Sequence, residues 1–205
     1  MTDLFIASED ALSESVLERL VEDANEGMCI AVRMGRKGNG YLKQRILEFI
    51  KTAHAIPVLL MTDLDHIECA PVLIDDWCGR HPLPKNMLFR VAVREVEAWL
   101  LADREGFSKY SGVPVEKIPR NPESLDEPKQ MLMKLIRRYG YRKIKVEVLP
   151  DRGSTARIGF GYNHILSRFV REYWSPVKAA ENADSLARTR NRLREIGKQG
   201  PHGSQ

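Results

Sequence analysis

The chain has 205 residues, of which 43% are hydrophobic and 29% charged, with three cysteines and a formal net charge of +4. That length suits one generous domain, or a domain with an appendage. No apolar run approaches the ~20 residues of a membrane span. The opening Met1-Thr-Asp-Leu-Phe-Ile has neither the basic stretch nor the cleavage pattern of a signal peptide. Cys29, Cys69 and Cys78 are widely spaced and form no Cys-x-x-Cys pair. These features argue against a membrane protein, a disulfide framework and a structural zinc. The expectation is a cytoplasmic protein whose reduced cysteines sit in the core.

The charge is unevenly placed. Residues 1–128 carry 15 Lys/Arg against 22 Asp/Glu, whereas residues 129–205 carry 17 against 6. A basic C-terminal third points to a polyanionic partner, nucleic acid first. An acidic partner protein, or solubility alone, is the alternative.

In chain order, Leu4 to Ala7 reads as a short first strand. Val16, Leu17, Leu20, Val21 and Ala24 then repeat at helical spacing, with Gly27 as the stop. Met28 to Met34 is a second strand, followed by the basic glycine loop Gly35-Arg-Lys-Gly-Asn-Gly40. Tyr41, Leu42, Ile46, Leu47 and Ile50 predict a second helix. Pro57 to Met61 is a mostly aliphatic run, read as a third strand buried on both faces and ending at Asp63. A helix is expected over about 70–79, a fourth strand over Met87 to Val93 and a helix over Glu95 to Ala102. This alternation predicts an α/β fold, a largely parallel sheet with helices on both faces.

Beyond residue 106 the pattern weakens, and Pro114, Pro119, Pro122 and Pro128 punctuate it. Leu132, Leu135 and Ile136 suggest a helix. Ile144-Lys-Val-Glu-Val148 alternates as a half-exposed strand would. From Tyr162 two helices are expected, separated near Ser175-Pro176. The division implied is a core over residues 1–106, a basic and mainly helical extension over 107–197 packed on it, and a disordered tail over 198–205.

Three acidic clusters follow predicted strands: Glu9 after the first, Asp63 and Asp65 after the third, Glu95 and Glu97 after the fourth. In a parallel sheet all three lie at the carboxyl edge, where open α/β folds bind their ligands. Crowded carboxylates repel unless a cation or a proton intervenes. A hard divalent ion such as Mg²⁺ or Mn²⁺ suits them and could serve phosphodiester cleavage. The plainer reading has these acids compensating helix N-termini, with Asp63 as a cap and Asp65 solvated. Glu95 and Glu97, two apart on a helix, point in different directions; Glu97 is favoured as a further ligand or general base, with Glu95 as its competitor. Asp103 reads as a cap or bridge and Trp99 as core.

Arg36 and Lys37 in the glycine loop, extended by Lys43 and Arg45, could cradle phosphate. Arg152-Gly-Ser-Thr-Ala-Arg157 could form a second anion site. Arg137, Arg138, Arg142 and Lys143, interleaved with Tyr139 and Tyr141, have the composition of a nucleic-acid surface.

Glu9 after one strand and Asp63-x-Asp65 after another resemble the Toprim fold of topoisomerases, DnaG-type primases and OLD-family nucleases. Ser8-Glu-Asp-Ala-Leu-Ser-Glu14, Arg90-Val-Ala-Val-Arg-Glu-Val-Glu-Ala-Trp-Leu-Leu-Ala-Asp103, Gly153-Ser-Thr-Ala and Gly161-Tyr-Asn are similar to a bacterial family of Toprim-like proteins, DUF4276. Asp184-Ser-Leu-Ala-Arg and Leu193 also fit it, so the resemblance spans nearly the whole chain. One departure is Asp10, where many Toprim domains follow the glutamate with Gly.

The resemblance implies a Toprim-like, Rossmannoid core with Mg²⁺ (or Mn²⁺) on Glu9, Asp63 and Asp65. It further implies the Toprim component of an anti-phage defence module. The partner would be an ABC- or OLD-type ATPase, since this chain has no Gly-x-x-x-x-Gly-Lys-Ser/Thr loop of its own. The leading expectation is a metal-dependent endonuclease acting on DNA or RNA, with a homo-oligomer left open. Its rival is a non-catalytic adaptor that binds nucleic acid or the ATPase. A primase-like enzyme ranks last, for want of a second nucleotide-binding motif.

Overall fold

The computed structural model describes residues 2–24 and 27–199. Four parallel strands, β1 (Thr2–Ser8), β2 (Met28–Gly35), β3 (Val58–Asp63) and β4 (Met87–Ala92), form one sheet in the order β2-β1-β3-β4. Each is joined to the next through helix: α1 (Ala11–Ala24), then α2 (Asn39–Gln44) with α3 (Ile46–Thr52), then α4 (Ala70–Cys78). The α/β class and the helices on both faces are those the sequence predicts.

Side chains alternate across the sheet as strand geometry requires. Leu4, Ile6, Leu59, Met61 and Leu88 enter one core, together with α1. Phe5, Ala7, Val58, Leu60, Phe89 and Val91 enter the other, against Leu42, Ile46 and Phe49 of α2 and α3 and Leu73 of α4. β1 and β3 are buried on both faces, which is why Pro57 to Met61 reads as an unbroken apolar run.

The remaining helices are α5 (Val96–Ala102), α6 (Arg104–Ser111), α7 (Pro128–Tyr139), α8 (Arg142–Val148), α9 (Tyr162–Glu172), α10 (Pro176–Ala179) and α11 (Asp184–Gln199). They enlarge the first core, in which Trp99, Phe107, Leu132, Phe169, Trp174 and Leu193 join the sheet residues in one cluster. Position 106 lies inside α6, so no break in secondary structure occurs there.

Several local expectations need correction. Residues 144–148 form helix α8, not a strand: Ile144 and Val148, four apart, are the buried pair, while Val146 is 68% exposed. α6 escaped prediction because only Phe107 and Tyr110 carry its apolar face and Gly106 interrupts it. The segment after Tyr162 holds three helices rather than two. Lys198 and Gln199 belong to α11, and the rest of the tail expected to be disordered lies outside the described residues. Of the cysteines, all free, only Cys78 is buried; Cys29 is exposed. Among the described residues no helix is long and apolar enough to cross a membrane.

Asp103 is structural, as its position suggests. Its Oδ1 accepts from the Gly106 N–H at 3.0 Å, capping α6, and its Oδ2 accepts from the Ser175 N–H at 2.8 Å, tying in α10. Trp99 is buried, donates to the Ser185 hydroxyl at 2.8 Å and accepts from Trp174 through its carbonyl at 3.0 Å. Replacing Asp103 by Ala should cost about 2 kcal/mol, a lost cap plus a buried N–H left without its acceptor. In thermal unfolding the melting point should fall by several degrees, and an unchanged value would show that water replaces both bonds.

Candidate active site

Glu9 lies just past the end of β1, with its Oε1 turned to the neighbouring strand. There it accepts from the Thr62 hydroxyl and, at 3.0 Å, from the Asp63 N–H. Asp63 ends β3, and its Oδ1 accepts from the Val96 N–H at 2.9 Å. This fixes the start of α5 beside β3 and puts Glu97, in the first turn of α5, against Asp63. The strand ends and α5 thus bring Glu9, Asp63 and Glu97 to one edge of the sheet.

Asp65 is half-buried, at a positive φ of 50°, and its backbone is clamped to the end of β4. Its N–H donates to the Arg94 carbonyl at 2.9 Å, and the Arg94 guanidinium donates back to the Asp65 carbonyl at 3.2 Å. Glu95, at the N-cap of α5, accepts from the Lys129 N–H at 2.7 Å and so also holds the start of α7.

Glu97 is 1% exposed. Its Oε1 accepts from the Tyr162 hydroxyl at 2.7 Å and lies 3.3 Å from the Lys129 ammonium. Its Oε2 is buried without a partner. Lys129 also stands over the Tyr162 ring, 5.7 Å from its centroid and within the ~6 Å reach of a cation–π contact. Lys129 and Tyr162 are the site residues that sequence reasoning missed. Lys129 lies 32 positions beyond Glu97, in a Pro-rich stretch whose pattern only marks a helix start. Gly161-Tyr-Asn is legible as a motif, but nothing in it says that the hydroxyl meets a glutamate.

Negative charge dominates the electrostatics. Burial, then the charges of Glu97, Glu9 and Asp65, hold the Asp63 carboxyl well above the ordinary aspartate range, and Lys129 only partly offsets them. Burial also raises Glu9, against the hydrogen bonds from Thr62 and Asp63 that favour its charged form. Glu95 is raised too, first by burial. For Lys129, burial disfavours the ammonium, but Glu97, Glu95 and Asp63 together outweigh it and lift the pKa above the usual lysine value. Burial and the adjoining Glu97 push the Tyr162 phenol well up, so it stays a hydrogen-bond donor.

The donor set fits a hard divalent cation in chemistry: every candidate ligand atom is a carboxylate oxygen, the shared charge is under-compensated, and one buried oxygen has no partner. These groups meet through hydrogen bonds and charge rather than as a closed shell. Among the described residues no three His, Cys, Asp or Glu side chains stand gathered for ligation.

The Gly35–Gly40 loop follows from close strand packing. A Cβ at Gly35, where φ is 119°, would overlap the Ser8 carbonyl oxygen, so only glycine lets β2 end there. The Gly38 N–H then donates to the Glu9 carbonyl at 3.0 Å. Asp10, the departure from the Toprim pattern, caps α1 by accepting from the Ser13 N–H at 2.8 Å.

The cations of this region are partly committed. Arg36 is paired with the buried Glu14, Lys43 with Asp76 at 2.7 Å, and Lys37 stands 5.1 Å from the Tyr41 ring centroid. Arg152 and Arg157 are exposed. Arg152 shares a cavity of about 670 Å³ with Arg137, Arg142 and Lys145. In α11, Arg190 is buried against Asp23 of α1 at 2.8 Å, so part of the C-terminal charge is structural.

No protein-family model matches the chain, and no curated protein matches it. Among solved structures it is similar to the C-terminal region of the Burkholderia pseudomallei OLD protein, at 14% identity and a TM-score of 0.49, over 95% of this chain and 98% of that one.

Proposed function

We propose that this chain is a metal-dependent nuclease that cleaves phosphodiester bonds in DNA or RNA. The observation that carries the reading is the charge coupling of Asp63 with Glu97, Glu9 and Asp65 at the carboxyl edge of a parallel sheet, with more negative charge than Lys129 balances. Asp63, Glu9 and Asp65 would hold Mg²⁺ or Mn²⁺, with Glu97 behind them. Such an ion polarises a phosphate and lowers the pKa of water.

The chain's own residues supply the rest. Thr62 and the Asp63 N–H fix the orientation of Glu9. Tyr162 and Lys129 hold Glu97 by one oxygen and leave the other turned free. Lys129, kept charged by its acidic neighbours, would in this reading also meet a substrate phosphate. In this reading the cavity lined by Arg137, Arg142, Lys145 and Arg152 would hold part of the phosphate backbone. Phe160, two residues before Tyr162, is 109% exposed and presents a ring on which a base can stack. The resemblance of the sequence to Toprim-like proteins adds two further parts of the proposal, a partner ATPase of ABC or OLD type and a role in anti-phage defence.

The second reading, a non-catalytic adaptor, is favoured by one observation: the carboxylates do not form a ready ligand cluster. An assay on supercoiled plasmid and on structured RNA separates the two. It uses Mg²⁺ or Mn²⁺, with and without any ATPase encoded beside this gene. Cleavage that needs metal and the site carboxylates supports the nuclease. Binding without cleavage, with the ATPase present and indifferent to metal, supports the adaptor.

A further inference from the structure

β4 is an edge strand of the sheet. The Asn86 carbonyl accepts from Val58 and the Ala92 carbonyl from Leu64, each at 2.9 Å, so even-numbered residues of β4 turn their backbone groups toward β3. The N–H and C=O groups of Phe89 and Val91 therefore point outward. An unpaired edge of this kind is a template for another strand.

This edge is recessed. Phe89 and Val91 form part of the floor of a groove of about 680 Å³, with Ala70 and Ile74 of α4 on one side and Arg120, Ser124 and Arg188 on the other. Walls on both sides leave room for one extended segment. They keep two copies of β4 apart, because each would sit at the bottom of its own groove.

Charge specifies the occupant. The side chain of Arg90 faces the α11 side of the sheet, in register with Leu88 and Ala92, and lines the groove; its Nε is buried without a partner. The acids of the groove have cations or donors of their own. Glu123 accepts from the Ser185 N–H and hydroxyl, Asp184 lies 3.9 Å from Arg188, and Glu181 sits in the field of Lys178. That Nε is closed off from the groove, but the terminal nitrogens of the same guanidinium are not, and they make no hydrogen bond among the described residues; a carboxylate side chain on the incoming strand would pair with them.

The geometry points to a peptide-docking site: the free edge of β4 takes an extended segment of a partner protein, about five residues long at ~3.3 Å per residue. Alternate side chains of that segment are aliphatic, toward Ala70 and Ile74, and acidic, toward Arg90 and Arg120. The site is independent of the cleavage reading, and Arg90 and Val91 are not part of the carboxylate cluster.

The test uses a fluorescent peptide alternating Val and Glu over six residues, with anisotropy as the readout and the full chain as receptor. Three controls accompany it: the Val–Gln peptide, the Val–Glu peptide N-methylated at alternate residues, and the Val91→Pro protein. A proline at 91 removes an outward N–H without touching the β3 ladder. The expected result is binding of the Val–Glu peptide that weakens at least about tenfold (1.4 kcal/mol) on N-methylation and in Val91→Pro. Arg90→Gln should weaken the Val–Glu peptide and leave the Val–Gln peptide unchanged. Should Val91→Pro lose its fold by circular dichroism, Ile74→Trp fills the groove instead, and the N-methylated arm needs no variant. Absence of binding, or binding indifferent to N-methylation, overturns the proposal. So does a concentration-dependent dimer that Val91→Pro abolishes, which would make a second copy the occupant.

Discussion

Asp63→Asn should reduce cleavage by about a thousandfold or more and at the same time leave the protein at least as stable as before. The first half follows from the role given to Asp63. A bound metal supplies several kcal/mol of transition-state stabilisation, and each 1.36 kcal/mol is tenfold in rate. The second half follows from the electrostatics. Asp63 is raised by burial and by three neighbouring acids, and the neutral amide removes that repulsion while keeping an oxygen for the Val96 N–H. Single stabilising substitutions commonly contribute about 0.5–2 kcal/mol, and ~1 kcal/mol moves the melting point of a chain this size by roughly 2–4 °C. The two readouts separate the possibilities. Lost cleavage with a lower melting point would mean that Asp63 serves the fold, through its bond to α5. Full cleavage in the variant would take the carboxylate cluster out of the mechanism.

The sheet and the carboxylates were legible because each carries a local signature. β3 is buried on both faces, so its aliphatic run has no polar interruption until the strand leaves the sheet at Asp63. Topology does the rest: parallel strands end at one edge, and acids that follow different strands are brought together without any signal in their spacing. That argument reaches Glu9, Asp63 and Glu97. It does not reach Lys129 or Tyr162, which arrive from α7 and α9 by packing of helices whose apolar stripes say only that they pack. The same limit explains α8. Ile144-Lys-Val-Glu-Val148 satisfies both the two-residue and the four-residue period, and tertiary contact chooses Ile144 and Val148 as the buried pair. Charge was the weakest guide. Arg36 reads from the sequence as a phosphate contact, yet it closes on Glu14 of α1, and Arg190, one of the cations of the basic C-terminal third, closes on Asp23 of the same helix.

Without divalent metal the protein should lose stability as pH rises from the ordinary carboxylate range toward neutrality, and Mg²⁺ or Mn²⁺ should restore it. Glu9, Asp63 and Glu95 all have pKa values raised above their usual 4.5, 3.8 and 4.5. A carboxyl raised in the folded state keeps a proton that the unfolded chain has already released. Its contribution is therefore full below the unfolded pKa and is lost as pH climbs through the folded one. This is opposite in sign to a salt-bridged carboxylate, whose contribution is lost on acidification. Lys129, raised as well, stays charged through the window and does not alter its sign. A metal that binds the folded form alone adds about 2.7 kcal/mol at a hundredfold excess over its Kd, roughly 5–10 °C in melting point. Its effect should grow with pH, because the ion competes with the protons held by the same oxygens. Thermal melts across pH 4–8, with EDTA or with metal, read both effects. Asp63→Asn should flatten the metal-free slope and remove the metal-induced rise together. A flat metal-free profile would mean that the raised carboxylates are relaxed by solvent. A steep profile with no response to metal would leave the cluster acidic and strained but assign it to something other than a cation.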